Sequence, residues 1–156
     1  MPLAAVGGQT KIMTLLAPAG PVYQAGTLSG NPIATAAAIA TLDILVKKDC
    51  YFKLETKSAI LANGLRDAAK QVGIPIAINR VGSLLSCFFT NQPVRNFEDV
   101  KLTDISKFKK FFAEMLKRGI YMAPSAYEAM FISLAHSKED IEKTVKSAQK
   151  CFHNLR

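Results

Sequence analysis

The chain has 156 residues, 49% of them hydrophobic, which suits one globular domain with a real core and is too short for two full ones. No long uninterrupted apolar run occurs, and the N-terminus lacks a basic-then-apolar leader pattern, so neither a membrane partner nor export is expected and a cytoplasmic setting is. The net charge of +8 is dispersed: Lys107, Lys110, Lys117 and Arg118 alternate with Phe108, Phe111 and Met115, the pattern of a solvated helix face, so no nucleic-acid partner is expected.

In chain order, "LAAV" (Leu3 to Val6), closed by Gly7-Gly8, reads as a buried strand, and a short helix is predicted over about Thr10 to Leu16, stopped by Pro18. Gly20 to Gly30 has no period and is a loop. Asn31 can cap the next helix, and Pro32 suits its first turn because proline's missing N–H is not needed there. That helix, "IATAAAIATLDILVKK", is alanine or aliphatic nearly all round, which predicts cover on several sides from further protein.

From about residue 49 the pattern changes to a small α+β unit. Leu61, Leu65, Ala68 and Val72 form one helix stripe, ended by Gly73. "IPIAINRV" and "SLLSCFFT" are predicted strands joined by Gly82, and "NQPVRNFEDVKLTD" is predicted to be a loop. Ile105, Phe108, Phe111, Phe112 and Met115 mark a further helix closed by Gly119. A strand "IYMA", a turn at Pro124-Ser125 and a strand "AMFISLA" follow. Ser137 with Asp140 has capping-box spacing, and Ile141, Val145, Ala148 and Phe152 form the last helix stripe. Cys50, Cys87 and Cys151 are far apart with no Cys-x-x-Cys, so reduced, mostly buried thiols are expected, without a metal site.

The stretch that points to chemistry is "PAGPVYQAGTLSGNP", residues 18–32. Its glycines and hydroxyls lie just ahead of a helix start, where oriented N–H groups and the positive helix end suit a phosphate. A plain Gly-Pro connector with a capped helix accounts for the same residues.

The longer segment "APAGPVYQAGTLSGNPIATAAAIATL" resembles the glutamate-1-semialdehyde aminomutase family, pyridoxal-phosphate enzymes of the class III aminotransferase group. "MPLAAVGG" is similar to the strand and Gly-Gly turn after that family's cofactor lysine, and "GIYMAPSAYEAMFISLAHSKEDIEKT" to its C-terminal signature. The resemblance implies an α/β fold, the C-terminal part of a fold-type I pyridoxal-phosphate transferase. Residues 1–48 would close the large cofactor-binding domain, and 49–156 would be the small α+β domain.

It also implies roles. Thr27 and the backbone of Gly26 match the group that holds the phosphate of pyridoxal or pyridoxamine 5′-phosphate in the neighbouring subunit of a homodimer. Tyr23 matches a tyrosine reaching across that interface, where packing alone is an equal account. Glu128 matches a carboxylate near the substrate amino groups; without the resemblance it reads as a solvated side chain. Ser29 and Asn31 are explained by turn and cap duties, and His136 by a hydrogen bond at a strand-to-helix junction. The implied reaction moves the amino group within glutamate 1-semialdehyde, a small amino-aldehyde, to give the porphyrin precursor 5-aminolevulinate. The family's cofactor lysine, phosphate-cup residues, pyridine-facing aspartate and carboxylate-binding arginine all match positions before Met1, so a chain inactive by itself is expected. Lys11, Lys47 and Lys48 read as exposed and not as substitutes. A class III ω-aminotransferase and a noncatalytic dimerisation module are the alternatives.

Overall fold

The computed structural model describes residues 3–155. It divides into two compact units, Met1–Lys47 and Lys48–Arg156.

Among its described residues the first unit holds two helices, α1 (Thr10–Met13) and α2 (Pro32–Leu45). The expected strand at Leu3 to Val6 is not formed; these residues are irregular and exposed. A strand exists through hydrogen bonds to a neighbour, and among the described residues of this unit the nearest equivalent is a single bridge between Leu16 and Val22. For the same length of chain, α1 stops at Met13, and Leu16 turns away to meet Val22. The start of α2 is built as its sequence requires: Asn31 Oδ1 accepts from the N–H groups of Ile33 at 3.1 Å and Ala34 at 3.2 Å, with Pro32 in the first turn. Within these residues α2 buries only Ala34, while Ile33, Ile39, Leu42 and Ile44 stay exposed.

The second unit contains α3 (Cys50–Gln71), β1 (Ala77–Val81), β2 (Leu84–Phe88), α4 (Phe97–Lys101), α5 (Ile105–Lys117), β3 (Met130–Phe131) and α6 (Lys138–Asn154). The antiparallel sheet runs β1-β2-β3, with Ile78 opposite Cys87 and Leu85 opposite Met130. Gly82, at φ +56°, is the first residue of the two-residue turn between β1 and β2, where a positive φ lets the turn follow the strand twist. α3 and α5 end alike. Ile74 N–H donates to Ala69 O and Gly73 N–H to Lys70 O; Ile120 N–H donates to Met115 O and Gly119 N–H to Leu116 O. Each is a Schellman closure with glycine in the left-handed region.

α3 packs on α6 and on the hairpin, and α5 packs on α6. Leu65, Leu85, Phe111, Met115 and Phe152 are fully buried at the centre. Phe111 and Phe152 stack with centroids 4.6 Å apart, and Phe89 meets both edge-on at 5.5 and 6.1 Å. All three cysteines are buried and unpaired, and among the described residues no metal-binding cluster forms. Burial pushes the Cys87 thiol up to about 12.

Three segments differ from expectation. Residues 91–104 contain α4, because Asn96 accepts from Asp99 N–H at 3.0 Å while Asp99 Oδ2 accepts from Arg95 N–H at 2.8 Å, a reciprocal cap that starts a helix inside a polar stretch. "IYMA" is irregular, and "AMFISLA" pairs only at Met130 and Phe131, with Ile132 N–H adding one bond to Ser83 O at 2.9 Å. Both segments have strand-forming side chains, but β2 offers its outer edge for only this short length.

Candidate functional site

Two places carry the predicted chemistry, one in each unit. In the first, two tight turns follow each other: Ser29 N–H donates to Gly26 O at 2.9 Å and Asn31 N–H to Leu28 O at 3.1 Å. A Cβ on Gly26 would stand 2.9 Å from Ser29 Oγ, a contact that rotation of the serine side chain relieves. Gly30, at φ +72°, then turns the chain into α2. Thr27 sits at the crest, exposed, and among the described residues neither its N–H nor its hydroxyl has a hydrogen-bond partner. Tyr23 is 84% exposed.

Because Asn31 occupies the N–H groups of Ile33 and Ala34, an anion at this loop would feel the positive end of α2 but take its hydrogen bonds from the turn. The donors are therefore Thr27 and its neighbouring amides. Ser29 and Asn31 have the turn and cap duties expected of them. A crest with unpaired N–H and O–H donors fits a phosphate group.

In the second unit, a cavity of about 350 Å³ lies between the 120–132 segment and α6. Its walls are largely apolar, from Met122, Pro124, Ala129 and Ile132, and its polar residues are Tyr121, Glu128, His136, Asp140 and Thr144. Glu128 is placed by a turn in which its N–H donates to Ser125 O at 3.1 Å and Tyr127 N–H donates to Ser125 Oγ at 3.2 Å. A carboxylate here can pair with an ammonium group or exchange a proton with it.

His136 Nδ1 accepts from Ser133 N–H at 3.0 Å, the junction bond predicted for it. Lys57, on α3, donates to Leu134 O at 2.9 Å and His136 O at 2.5 Å, and so ties down the same turn. Asp140 closes the cap of α6, and hydrogen bonds from the Ser137 N–H and hydroxyl hold its carboxyl below the usual carboxylate range. Sequence reading saw Asp140 only as a cap. Its i, i+4 relation to Thr144 marks one helix face, and that face also lines the cavity. Lys57 gave no signal, since its partners lie 77 and 79 positions away.

The family model described as "Aminotransferase class-III" matches residues 1–152. The chain belongs to this family. Among curated class-III relatives, proteins named glutamate-1-semialdehyde 2,1-aminomutase are similar to it throughout. The protein from Persephonella marina is 49% identical over 99% of this chain and 36% of its own length, and that from Desulfitobacterium hafniense is 50% identical over the same shares. The chain thus spans about a third of the length of the curated relatives it matches. Among solved structures, an ω-transaminase from Sphaerobacter thermophilus superposes with a TM-score of 0.80 at 19% identity, covering 96% of this chain and 35% of that one. A glutamate-1-semialdehyde-aminomutase from Pseudomonas aeruginosa PAO1 superposes with a TM-score of 0.76 at 21% identity, covering 94% and 33%. These likenesses establish the α/β class-III aminotransferase fold, of which this chain forms a part. No described helix is long and apolar enough to cross a membrane.

Proposed function

We propose that this chain provides the phosphate loop and the Glu128 wall of a glutamate-1-semialdehyde 2,1-aminomutase, an enzyme of porphyrin-precursor synthesis in the cytoplasm. The observation that carries the reading is the identity near 50% with proteins of that name across 97–99% of this chain. The ω-transaminase likeness, at 19% identity, supports the fold and no particular substrate.

The cofactor would be pyridoxal or pyridoxamine 5′-phosphate, which when bound supplies the electron sink for moving an amino group. Thr27, with the Gly26 and Thr27 amides, would hold its phosphate. Tyr23 would lie at a homodimer interface, and Thr27 would serve the site of the neighbouring subunit. Glu128 would hold the substrate's amino groups by charge and pass protons to and from them, while the apolar walls around it exclude water and strengthen that pairing. The lysine that links the cofactor is not assigned to any of the 156 residues, so this chain alone would not turn over substrate.

The test joins residues 1–156 to the first two-thirds of the Persephonella marina relative and measures 5-aminolevulinate formation and cofactor affinity. Activity is expected in the chimera and not in the 156-residue chain. Thr27→Ala should weaken cofactor binding about tenfold or more, the effect of losing a hydrogen bond to a charged group. Glu128→Gln should lower turnover about a hundredfold with cofactor affinity kept. A chimera that binds cofactor but turns over external amino donors and keto acids instead would replace the aminomutase reading with the ω-aminotransferase one. Unchanged behaviour in both variants would remove the assigned roles.

A further inference from the structure

A second concavity, of about 540 Å³, lies between α3 and the outer edge of β1, and its lining shares no residue with the Glu128 cavity. Asn63 and Arg66 of α3 face it, as do Asn79 and Arg80 of β1. No acidic side chain lines it.

The two arginines are held differently. Arg80 Nη1 donates to Ser58 Oγ and Gly82 O, both at 3.0 Å, and its Nη2 pairs with Glu55 Oε1 at 2.5 Å. Glu55 therefore offsets much of the Arg80 charge. Arg66 is fixed by neutral acceptors alone: its Nη1 donates to Asn63 Oδ1 and its Nη2 to Ile78 O, both at 3.0 Å. Among the described residues no carboxylate stands within ion-pair distance of it. Arg66 is exposed and held by two hydrogen bonds to neutral acceptors, so its remaining N–H groups are available for a fork-shaped contact.

The asparagines extend the donor set. With Oδ1 taken by Arg66, Asn63 keeps its NH₂ as a donor. Asn79 gives its NH₂ to Val94 O at 2.7 Å and keeps Oδ1 as an acceptor. Fixed donors with one acceptor among them suit an oxyanion that still carries a proton.

We propose that this concavity binds a small oxyanion, a phosphate- or carboxylate-bearing metabolite, with Arg66 as its principal contact. Its lining shares no residue with the Glu128 cavity, and the inference does not rest on the aminomutase reading.

The test titrates the 156-residue chain with inorganic phosphate, and separately with succinate, at constant ionic strength made up with chloride, following the Arg66 Nε–H and Asn63 side-chain NH₂ signals by ¹H–¹⁵N NMR. Saturable shifts with one or both probes, absent with chloride, are expected. The probe that saturates distinguishes a phosphate site from a carboxylate site. Arg66→Gln should weaken binding about tenfold or more, since it removes the charged donor. Should that variant unfold, Asn63→Asp keeps the surface polar and places a carboxylate against Arg66, and it should abolish saturation. Linear shifts equal to those with chloride would overturn the proposal, as would undiminished phosphate and succinate binding in a folded Arg66→Gln or Asn63→Asp variant.

Discussion

Glu114 shows how a single exposed-edge carboxylate ties stability to pH. It receives Lys117 Nζ at 2.8 Å and Arg118 Nη1 at 2.7 Å, and these two cations hold its carboxyl down to about 2 from an ordinary 4.5. A carboxyl whose folded pKa lies below its unfolded one contributes stability that is complete above the unfolded value and lost as pH falls toward the folded value. The window here is therefore from about 4.5 down to about 2. Urea midpoints measured across it should fall more steeply for the wild type than for Glu114→Gln, and the two should run parallel near neutrality. Parallel curves through the acid range would mean that the ion pairs seen at Glu114 carry no free energy. At this scale local rules made much legible beforehand. Asn31, Gly73, Gly119 and the Ser137-Asp140 box act over a few positions, so spacing alone revealed them. The charge on Arg66 left without a counter-ion, and the tether from Lys57, depend on contacts between distant segments that no local pattern encodes.

Between elements, α3 and α6 approach closely at Gly64. A Cβ on Gly64 would meet Val145 Cγ2 at 2.5 Å, Cγ1 at 2.9 Å and Cβ at 3.3 Å. Alanine would improve the helix propensity of α3 by about 1 kcal/mol. Overpacking against a β-branched side chain with a stiff χ1 costs about 1–3 kcal/mol and should win. Gly64→Ala should thus lower stability by about 1 kcal/mol net, a difference within reach of denaturant melts. Combined with Val145→Ala it should destabilise less than the two single changes sum to, because the second removes the clash. If Gly64→Ala were as stable as the wild type, the helices could slide apart and the close approach would carry no constraint. In the second unit α3, α5 and α6 were legible because each has an apolar stripe at a period it can satisfy alone, whereas α4, with no buried residue and a start set by the Asn96–Asp99 cap, was not. Of the strands, β1 and β2 were legible as two β-rich runs joined at Gly82, but the others were not, because a strand is defined by its neighbour: "LAAV", "IYMA" and most of "AMFISLA" have the right side chains and no strand partner among the described residues.

Across the whole molecule, the buried core lies in one unit, while exposed apolar side chains occur in both. The core cluster runs from Leu61 to Phe152 and lies entirely within Lys48–Arg156, closed by three helices, a sheet and two glycine-ended helix stops. Met1–Lys47 leaves Ile33 67% and Leu42 57% exposed on α2, with Val6 and Val46 near 78%. Exposed apolar side chains at this density bind one another or a dye instead of water. A chain of residues 48–156 should therefore unfold in one cooperative transition, with a urea midpoint matching that of the full 156 residues. It should also bind less 8-anilinonaphthalene-1-sulfonate and aggregate less at equal concentration. The reasoning turns on where the buried area is: removing 1–47 deletes no member of the Leu61–Phe152 cluster, so the folding free energy of that cluster has no term to lose. Loss of the cooperative transition on truncation would show that the second unit leans on the first for its stability. Dye binding that stays unchanged would place the exposed apolar surface on the second unit instead of α2.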